Sequence, residues 1–216
     1  MKVTTINKKG NKSLILFFNG WGMDERAISH IPSKNFDIIM LNEYHDFTFD
    51  SSFVKTYEKI YIIAWSLGVW VANNWIQTCG IKAKIIAING TYQPIDNKYG
   101  IDPQTFQRTI DNWNEMSRTK FQLRMFKDRN LFANNMNKLP IRTIGEQKQE
   151  LNILQKNILD SNISEIKWDK AFVGSDDSIF TAESQTHFWN QKTLIIKKTM
   201  PHYPFLELPN WEKIIE

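Results

Sequence analysis

Lys59-Ile60-Tyr61-Ile62-Ile63-Ala64-Trp65-Ser66-Leu67-Gly68-Val69-Trp70-Val71-Ala72 is the stretch whose reading decides the fold. An apolar, β-branched run breaks at a serine and resumes as a helix-like segment, so it reads as strand, turn and helix. A serine in such a turn has the setting of a nucleophile elbow. Small flanking residues let the strand and helix backbones cross closely while the hydroxyl is held out toward a ligand. In Ala64-Trp65-Ser66-Leu67-Gly68 the first glycine of the usual pentapeptide is alanine, still small enough for that crossing. A strand-end serine also serves as a turn residue or helix cap. A nucleophilic role therefore requires a base, an acid and an oxyanion-binding loop elsewhere in the chain.

Composition bounds the search. With 216 residues, 42% of them hydrophobic and 13% aromatic, the chain fits one globular domain with a full core and room for an inserted subdomain. The start, Met1 to Gly10, lacks the apolar core of a signal peptide, and no later run approaches the ~20 apolar residues of a membrane span. A soluble cytoplasmic protein, not bound to membrane, is expected. Cys79 is the single cysteine, which excludes an intramolecular disulfide and a cysteine-based metal site and reads as a buried structural residue. A formal charge of +4 admits acidic partners without choosing one. No metal-ligand cluster stands out, since His45 and Asp46 are adjacent rather than spaced for one site. Gly20-Trp21-Gly22 lacks the further glycine or lysine of a phosphate-cradling loop, and no cofactor is expected.

Working outward from the serine, Ser13 to Phe18 is a short continuous apolar run, as in a parallel strand buried on both faces. It ends in Asn19-Gly20-Trp21-Gly22, whose glycines allow the backbone to turn an N–H toward a ligand. Asp24 is placed to cap a short helix over Ala27 to His30. Phe36 to Leu41 reads as a strand, Asn42 to Phe53 as loop or weak helix, Gly68 to Ile76 as a helix stopped near Cys79-Gly80, and Lys84 to Gly90 as another strand. Strands alternating with helices imply a doubly wound, mostly parallel α/β sheet flanked by helices, in which ligands gather at the strand carboxyl ends. Ser66, the Gly20–Gly22 loop and Asn89-Gly90-Thr91 all fall at such ends.

From 102 to 167 the pattern becomes helical, with Phe106, Ile110, Trp113 and Met116 or Ser117 at three- and four-residue spacing and a basic aromatic run to Phe132. We read residues 102–167 as an inserted helical lid on a core formed by 1–101 and 168–216; an ordinary sheet-flanking helix pair gives the same periodicity. The sheet resumes at Lys170 to Asp177 and Thr193 to Lys198, with Thr181 to Asn190 helix-like between them and a closing helix at Trp211 to Ile215. Of four histidines, His202 alone follows a late strand in a loop. His30 and His187 lie in helix-like segments and His45 in a polar loop. Asp176 and Asp177 end the preceding strand, and Gly174 three residues ahead favours Asp177 as the acid. The order Ser66, Asp177, His202 is the serine–acid–histidine order of α/β-hydrolases.

Three segments, Phe18-Asn19-Gly20-Trp21-Gly22-Met23-Asp24, Ala64 to Trp70 and Val173 to Asp177, with the late His202, resemble those of the BioG-type pimeloyl-[acyl-carrier protein] methyl ester esterases, small α/β-hydrolases of biotin synthesis. The resemblance implies hydrolysis of the methyl ester to pimeloyl-acyl carrier protein and methanol. It makes Ser66 the nucleophile, His202 the base and Asp177 the acid, with the backbone N–H groups of Trp21 and Leu67 as the oxyanion hole. A generalist esterase or acyl-thioesterase with the same triad is the enzyme alternative, and a non-enzymatic interaction domain on the hydrolase fold the other. A neutral seven-carbon chain needs an apolar tunnel, for which Trp113, Met116, Phe121 and Phe126 are the lid candidates. Between Arg108 and Arg129 six basic residues stand against three acidic ones. Arg108, Arg118, Arg124 and Lys127 are thus expected to face an acidic acyl-carrier protein rather than nucleic acid, although most such runs are solvated helix faces.

Overall fold

A computed structural model of the chain describes residues 1–162 and 164–216. Seven strands form one sheet: β1 (Lys2–Asn7), β2 (Ser13–Phe18), β3 (Asp37–Asn42), β4 (Lys59–Trp65), β5 (Lys84–Ile88), β6 (Lys170–Gly174) and β7 (Leu194–Lys198), in the order β1-β3-β2-β4-β5-β6-β7. All neighbours are parallel except β1, which pairs antiparallel with β3 at one edge. The continuous apolar runs are explained by burial on both faces. Leu14, Leu16, Phe18, Ile62, Ala64 and Ala87 point into one layer, while Ile15, Phe17, Ile63, Trp65, Ile86 and Ile88 point into the other, as the two-residue period of a strand requires. Sequence reading did not identify β1, because this edge strand is half exposed and Val3-Thr4-Thr5 carries no continuous apolar signal.

The helices are α1 (Gly68–Cys79), α2 (Pro103–Asp111), α3 (Glu115–Phe126), α4 (Arg129–Asn134), α5 (Ile144–Asp160), α6 (Ala182–Trp189) and α7 (Trp211–Ile215). Their ends follow local chemistry. Gly80 takes a left-handed conformation (φ 60°) just beyond α1, where a side chain would be strained. Asp102 caps α2 with a proline in its first turn, and Asn114 and Thr143 open α3 and α5 with reciprocal capping boxes. Asp24 caps a 3-10 turn over Glu25–Ala27, shorter than the expected helix.

Two expectations for the inserted stretch change. The face Phe106, Ile110, Trp113, Met116 is not one helix: α2 ends at Asp111, and the Asn114 cap starts α3 in a new direction. Met116 consequently lies on the first turn of α3 and is 69% exposed. The stretch is also not all cover. Helices α2 to α4 precede a return, at α5, to the main core, where Leu151, Leu154 and Ile158 share one apolar layer with Leu14, Phe18, Val71 and Trp75.

Helix α1 crosses β2 at close backbone approach. A Cβ on Gly68 would lie 2.4 Å from the carbonyl oxygen of Phe18 and 2.5 Å from that of Asn19. These are backbone atoms in the sheet and at its end, so they have little freedom to yield. Gly68→Ala is expected to destabilise the protein by about 2 kcal/mol, within the range for overpacking a close contact. Urea unfolding should show a lower midpoint at an unchanged slope.

Candidate active site

β4 delivers Ser66 to the carboxyl edge of the sheet in a conformation that serine adopts at a cost. Its φ is 58°, in the left-handed region, where strain of roughly 1–3 kcal/mol persists only if the surroundings over-determine it. Here they do. Ser66 N–H donates to Ile88 O (3.0 Å), Val69 N–H donates back to Ser66 O (3.0 Å), and a Cβ on Gly90 would meet Ser66 O at 2.4 Å. Glycine at 68 and 90 lets α1 and the end of β5 approach close enough to hold the turn. The hydroxyl stands at the amino end of α1, where unpaired N–H groups and the helix dipole favour developing negative charge.

His202 Nε2 lies 3.0 Å from Ser66 Oγ, and His202 Nδ1 lies 2.9 Å from Asp177 Oδ2. Because an ionised carboxylate only accepts, Nδ1 carries the proton and Nε2 presents its lone pair to the serine hydroxyl. Asp177 is fixed in turn. Its Oδ1 accepts the N–H groups of Ile179 (2.8 Å) and Phe180 (2.9 Å), and its Oδ2 also accepts Gln185 Nε2 at 3.3 Å. Asp176, the adjacent candidate, turns outward and pairs with Lys127 at 2.8 Å. The imidazole is 2% exposed, stacked near-parallel to Phe180 (6.0 Å, 12°) on one side and against Trp65 (5.5 Å, 39°).

Two residues that sequence reading assigned no such role position the histidine loop. The Trp65 indole N–H donates to His202 O (2.9 Å). The Asn89 amide donates to Pro201 O (2.8 Å) and His202 O (3.1 Å) while its oxygen accepts Gly174 N–H (2.8 Å), tying the end of β5 to the base loop and the acid strand. A signal existed for Asn89: an asparagine before a glycine at a strand end is suited to positive φ, and its φ is 46°.

Trp21 and Leu67 line the same cleft as Ser66. Among the described residues neither backbone N–H donates to a protein acceptor outside the regular ladders. Trp21 itself is 7% exposed, its ring packed on Trp113 (4.5 Å) and Phe121 (5.4 Å). The cleft is mainly apolar, lined by Phe106, Phe121, Met125, Leu151 and Ile179 together with Ser66 and His202.

Of the four lid residues expected to line it, Phe121 does. Trp113 stands behind Trp21, facing a second, smaller pocket. Met116 points to solvent, for the reason given above. Phe126 stacks on Tyr203 at 4.7 Å and faces a separate surface groove. The apolar period marked Phe106, Ile110 and Trp113 as buried but failed at Met116, and Trp113 and Phe126 pack within the fold rather than line the cleft. Among the four basic candidates, Arg124 reaches the cleft rim and donates to Ser178 O at 2.6 Å. Arg118 pairs with Glu115 and donates to Arg142 O (3.0 Å), Lys127 pairs with Asp176, and Arg108 is exposed beside Gln104.

Relatives extend the same picture. A crystal structure of BioG from Haemophilus influenzae superposes with a TM-score of 0.93 at 33% identity, covering 100% of both chains. A Bacteroides fragilis protein named malonyl-[acyl-carrier protein] O-methyltransferase is 38% identical over 181 residues, 83% of this chain, and this match spans only 37% of that protein's length. An esterase from Exiguobacterium antarcticum shares the fold at a TM-score of 0.68 and 14% identity, covering 95% of this chain and 90% of its own. The architecture is that of the α/β-hydrolases. The family model for the pimeloyl-ACP methyl esterase BioG matches residues 1–214, and the chain belongs to that family.

Proposed function

We propose that this chain is a serine carboxylesterase that hydrolyses the methyl ester of pimeloyl-[acyl-carrier protein], giving pimeloyl-[acyl-carrier protein] and methanol. The observation that carries the reading is the relay Asp177 Oδ2 to His202 to Ser66 Oγ, with steps of 2.9 and 3.0 Å, opening into an apolar cleft. In this reading His202 Nε2 takes the serine proton as Oγ attacks the ester carbonyl, while Asp177 stabilises the imidazolium. The Trp21 and Leu67 N–H groups receive the oxyanion. The imidazolium then protonates departing methoxide, and His202 next activates water to release the acid from Ser66. His202 carries every proton transfer that ester hydrolysis needs, and Asp177 orients it without taking a proton.

The substrate assignment draws on the family and on the cleft. Apolar walls suit a neutral methyl-esterified chain, whereas the product carboxylate is charged and poorly matched to them. The name of the Bacteroides fragilis relative couples methyl transfer to a carrier-bound acyl group, and a carrier-bound methyl ester is what this site would cleave. The carrier, acidic and too large for the cleft, stays at the lid rim, where Arg108, Arg118, Arg124 and Lys127 offer positive charge. Arg118 and Arg124 donate to backbone carbonyl groups, whereas Arg108 holds only the Gln104 side chain and Lys127 only the surface carboxylate of Asp176, so these two are the less constrained pair for steering. No helix among the described residues is long and apolar enough to cross a membrane, and the reading places the reaction in the cytoplasm with the carrier.

Ser66→Ala is expected to abolish methyl-ester turnover while circular dichroism stays unchanged, because it deletes the hydroxyl and keeps the Cβ that the turn already accommodates. Turnover by a folded Ser66→Ala protein would remove the serine mechanism, and a non-enzymatic domain would show no turnover even in the unaltered protein. Rescue of a biotin auxotroph separates the carrier-linked substrate from generalist ester or thioester hydrolysis.

The two aspartates are expected to differ. Asp177→Asn should lower kcat by about 10⁴-fold, the scale for neutralising a triad acid, and Asp176→Asn by less than about tenfold, since it breaks only a surface pair. Steady-state kinetics on one methyl ester decide between them.

Carrier steering gives a further test. Arg108→Glu combined with Lys127→Glu should raise KM for the carrier-linked ester severalfold at low salt, with the difference shrinking as salt is added. Turnover of a small free methyl ester should change little. Unchanged kinetics on both substrates would put the carrier on another face.

A further inference from the structure

The loop that supplies the Trp21 amide is not held by the sheet alone. Four hydrogen bonds join residues 21–24 to the segment 141–150, from sequence positions more than a hundred residues away. The Trp21 indole donates to Gln147 O at 2.8 Å, and Gln147 Nε2 donates to Gly22 O at 2.9 Å. Gly22 N–H donates to Glu150 Oε2 at 3.2 Å, and Ile141 N–H donates to Asp24 Oδ2 at 2.8 Å. The second oxygen of Glu150, Oε1, accepts Tyr44 N–H at 3.0 Å, while the Tyr44 hydroxyl donates to Asn19 O at 2.8 Å at the start of the same loop. That makes four direct bonds and one bridge through Tyr44.

Glu150 is fully buried, and its neighbour Arg142, 7% exposed, is its charge partner within hydrogen-bonding distance. A carboxylate inside a protein is costly unless paired and hydrogen-bonded. This one is both, and its remaining acceptor capacity goes to two backbone amides. Gly22, whose N–H it takes, has φ 71°, and its carbonyl is held by Gln147. Glu150 thereby holds the peptide plane that follows Trp21, and Gln147 the one that follows Gly22. The plane preceding Trp21 carries the Trp21 N–H, and that N–H has no intramolecular acceptor outside the regular ladders among the described residues.

We propose that Glu150, with Gln147, is a positioning residue for the oxyanion loop, so that helix α5 presents the Trp21 amide to the cleft. This rests on the esterase reading of Ser66. Glu150 touches no reacting atom; it acts through Gly22 and Tyr44. A donor of the oxyanion hole is useful only where the oxygen will stand in the tetrahedral intermediate, so a small rotation of the Gly20–Gly22 backbone weakens transition-state binding more than substrate binding.

Glu150→Gln keeps the shape but replaces one acceptor oxygen with an NH₂ group that faces a backbone N–H. For hydrolysis of methyl hexanoate it is expected to lower kcat about 10- to 100-fold, part of the loss known for deleting an oxyanion donor outright. KM should stay within about threefold. Inhibition by phenylboronic acid, which forms a tetrahedral adduct on the serine, should weaken in parallel with kcat. Folding is monitored by circular dichroism at the assay temperature. If Glu150→Gln does not fold, Gln147→Leu, which loses only the bond to Gly22 O, must show the same split of kcat from KM.

Unchanged kcat in a folded Glu150→Gln or Gln147→Leu protein overturns the proposal. So does a loss that leaves boronate affinity untouched, because that outcome assigns the clamp to stability alone. Ser66→Ala in parallel separates the two readings. If it is inactive while Glu150→Gln keeps full activity, the clamp alone fails; if it keeps turnover, the esterase reading fails and takes the clamp with it.

Discussion

The rest of the structure depends on one crowded crossing, where the peptide after β4 turns through a positive φ at Ser66 and enters α1. Carbonyl oxygens of Phe18, Asn19 and Ser66 approach the α-carbons of Gly68 and Gly90 so closely that no side chain fits at either position. The crossing brings three strand ends, β2, β4 and β5, into contact through backbone atoms rather than side chains. Backbone contacts of that kind do not adjust by changing rotamer, which is how a strained serine conformation is held without a ligand. The same crossing aligns the serine with the amino end of α1 and brings the Asn19–Gly22 loop alongside it.

Around that point the polar side chains form two buried scaffolds. One surrounds the histidine: Trp65, Asn89 and Asp177 fix Pro201, His202 and the imidazole through four hydrogen bonds. The other surrounds the Gly20–Gly22 loop, through Glu150, Gln147, Tyr44 and Asp24. Both lie in an apolar setting, where hydrogen bonds are strong and misplacement is costly; Gln147 Oε1 and the Nε and Nη2 of Arg142 have no partner among the described residues. Their effect is preorganisation: the imidazole and the candidate oxyanion amides are held in place by the protein itself.

The inserted stretch divides between two tasks. Helices α2 and α3 give the cleft its apolar wall through Phe106, Phe121 and Met125 and leave basic side chains outside. Helix α5 buries Leu151, Leu154 and Ile158 against the sheet layer while sending Glu150 and Gln147 to the loop at its edge. Helix α2 shares that layer through Phe106 and Ile110, so the stretch cannot open as one body without exposing apolar core.

The sequence by itself determined the parallel sheet, its serine turn and the order of Ser66, Asp177 and His202 along the chain. Each of these is written locally: strands buried on both faces need unbroken apolar runs, and a tight strand-to-helix turn needs small residues at fixed offsets. The glycine three residues before Asp177 pointed to the aspartate that meets His202 Nδ1. Only the tertiary structure decided where the lid side chains go. Trp113, Met116 and Phe126 share the apolar character of Phe121, but the cap at Asn114 reorients α3, and whether a buried ring faces a cleft or another ring depends on the element opposite it. The edge strand β1, the loop ties of Trp65 and Asn89, and the clamp from Glu150 to Gly22 were likewise invisible in the sequence. Their partners lie from tens to more than a hundred residues away, and no local period or spacing encodes which distant backbone amide a buried carboxylate will find.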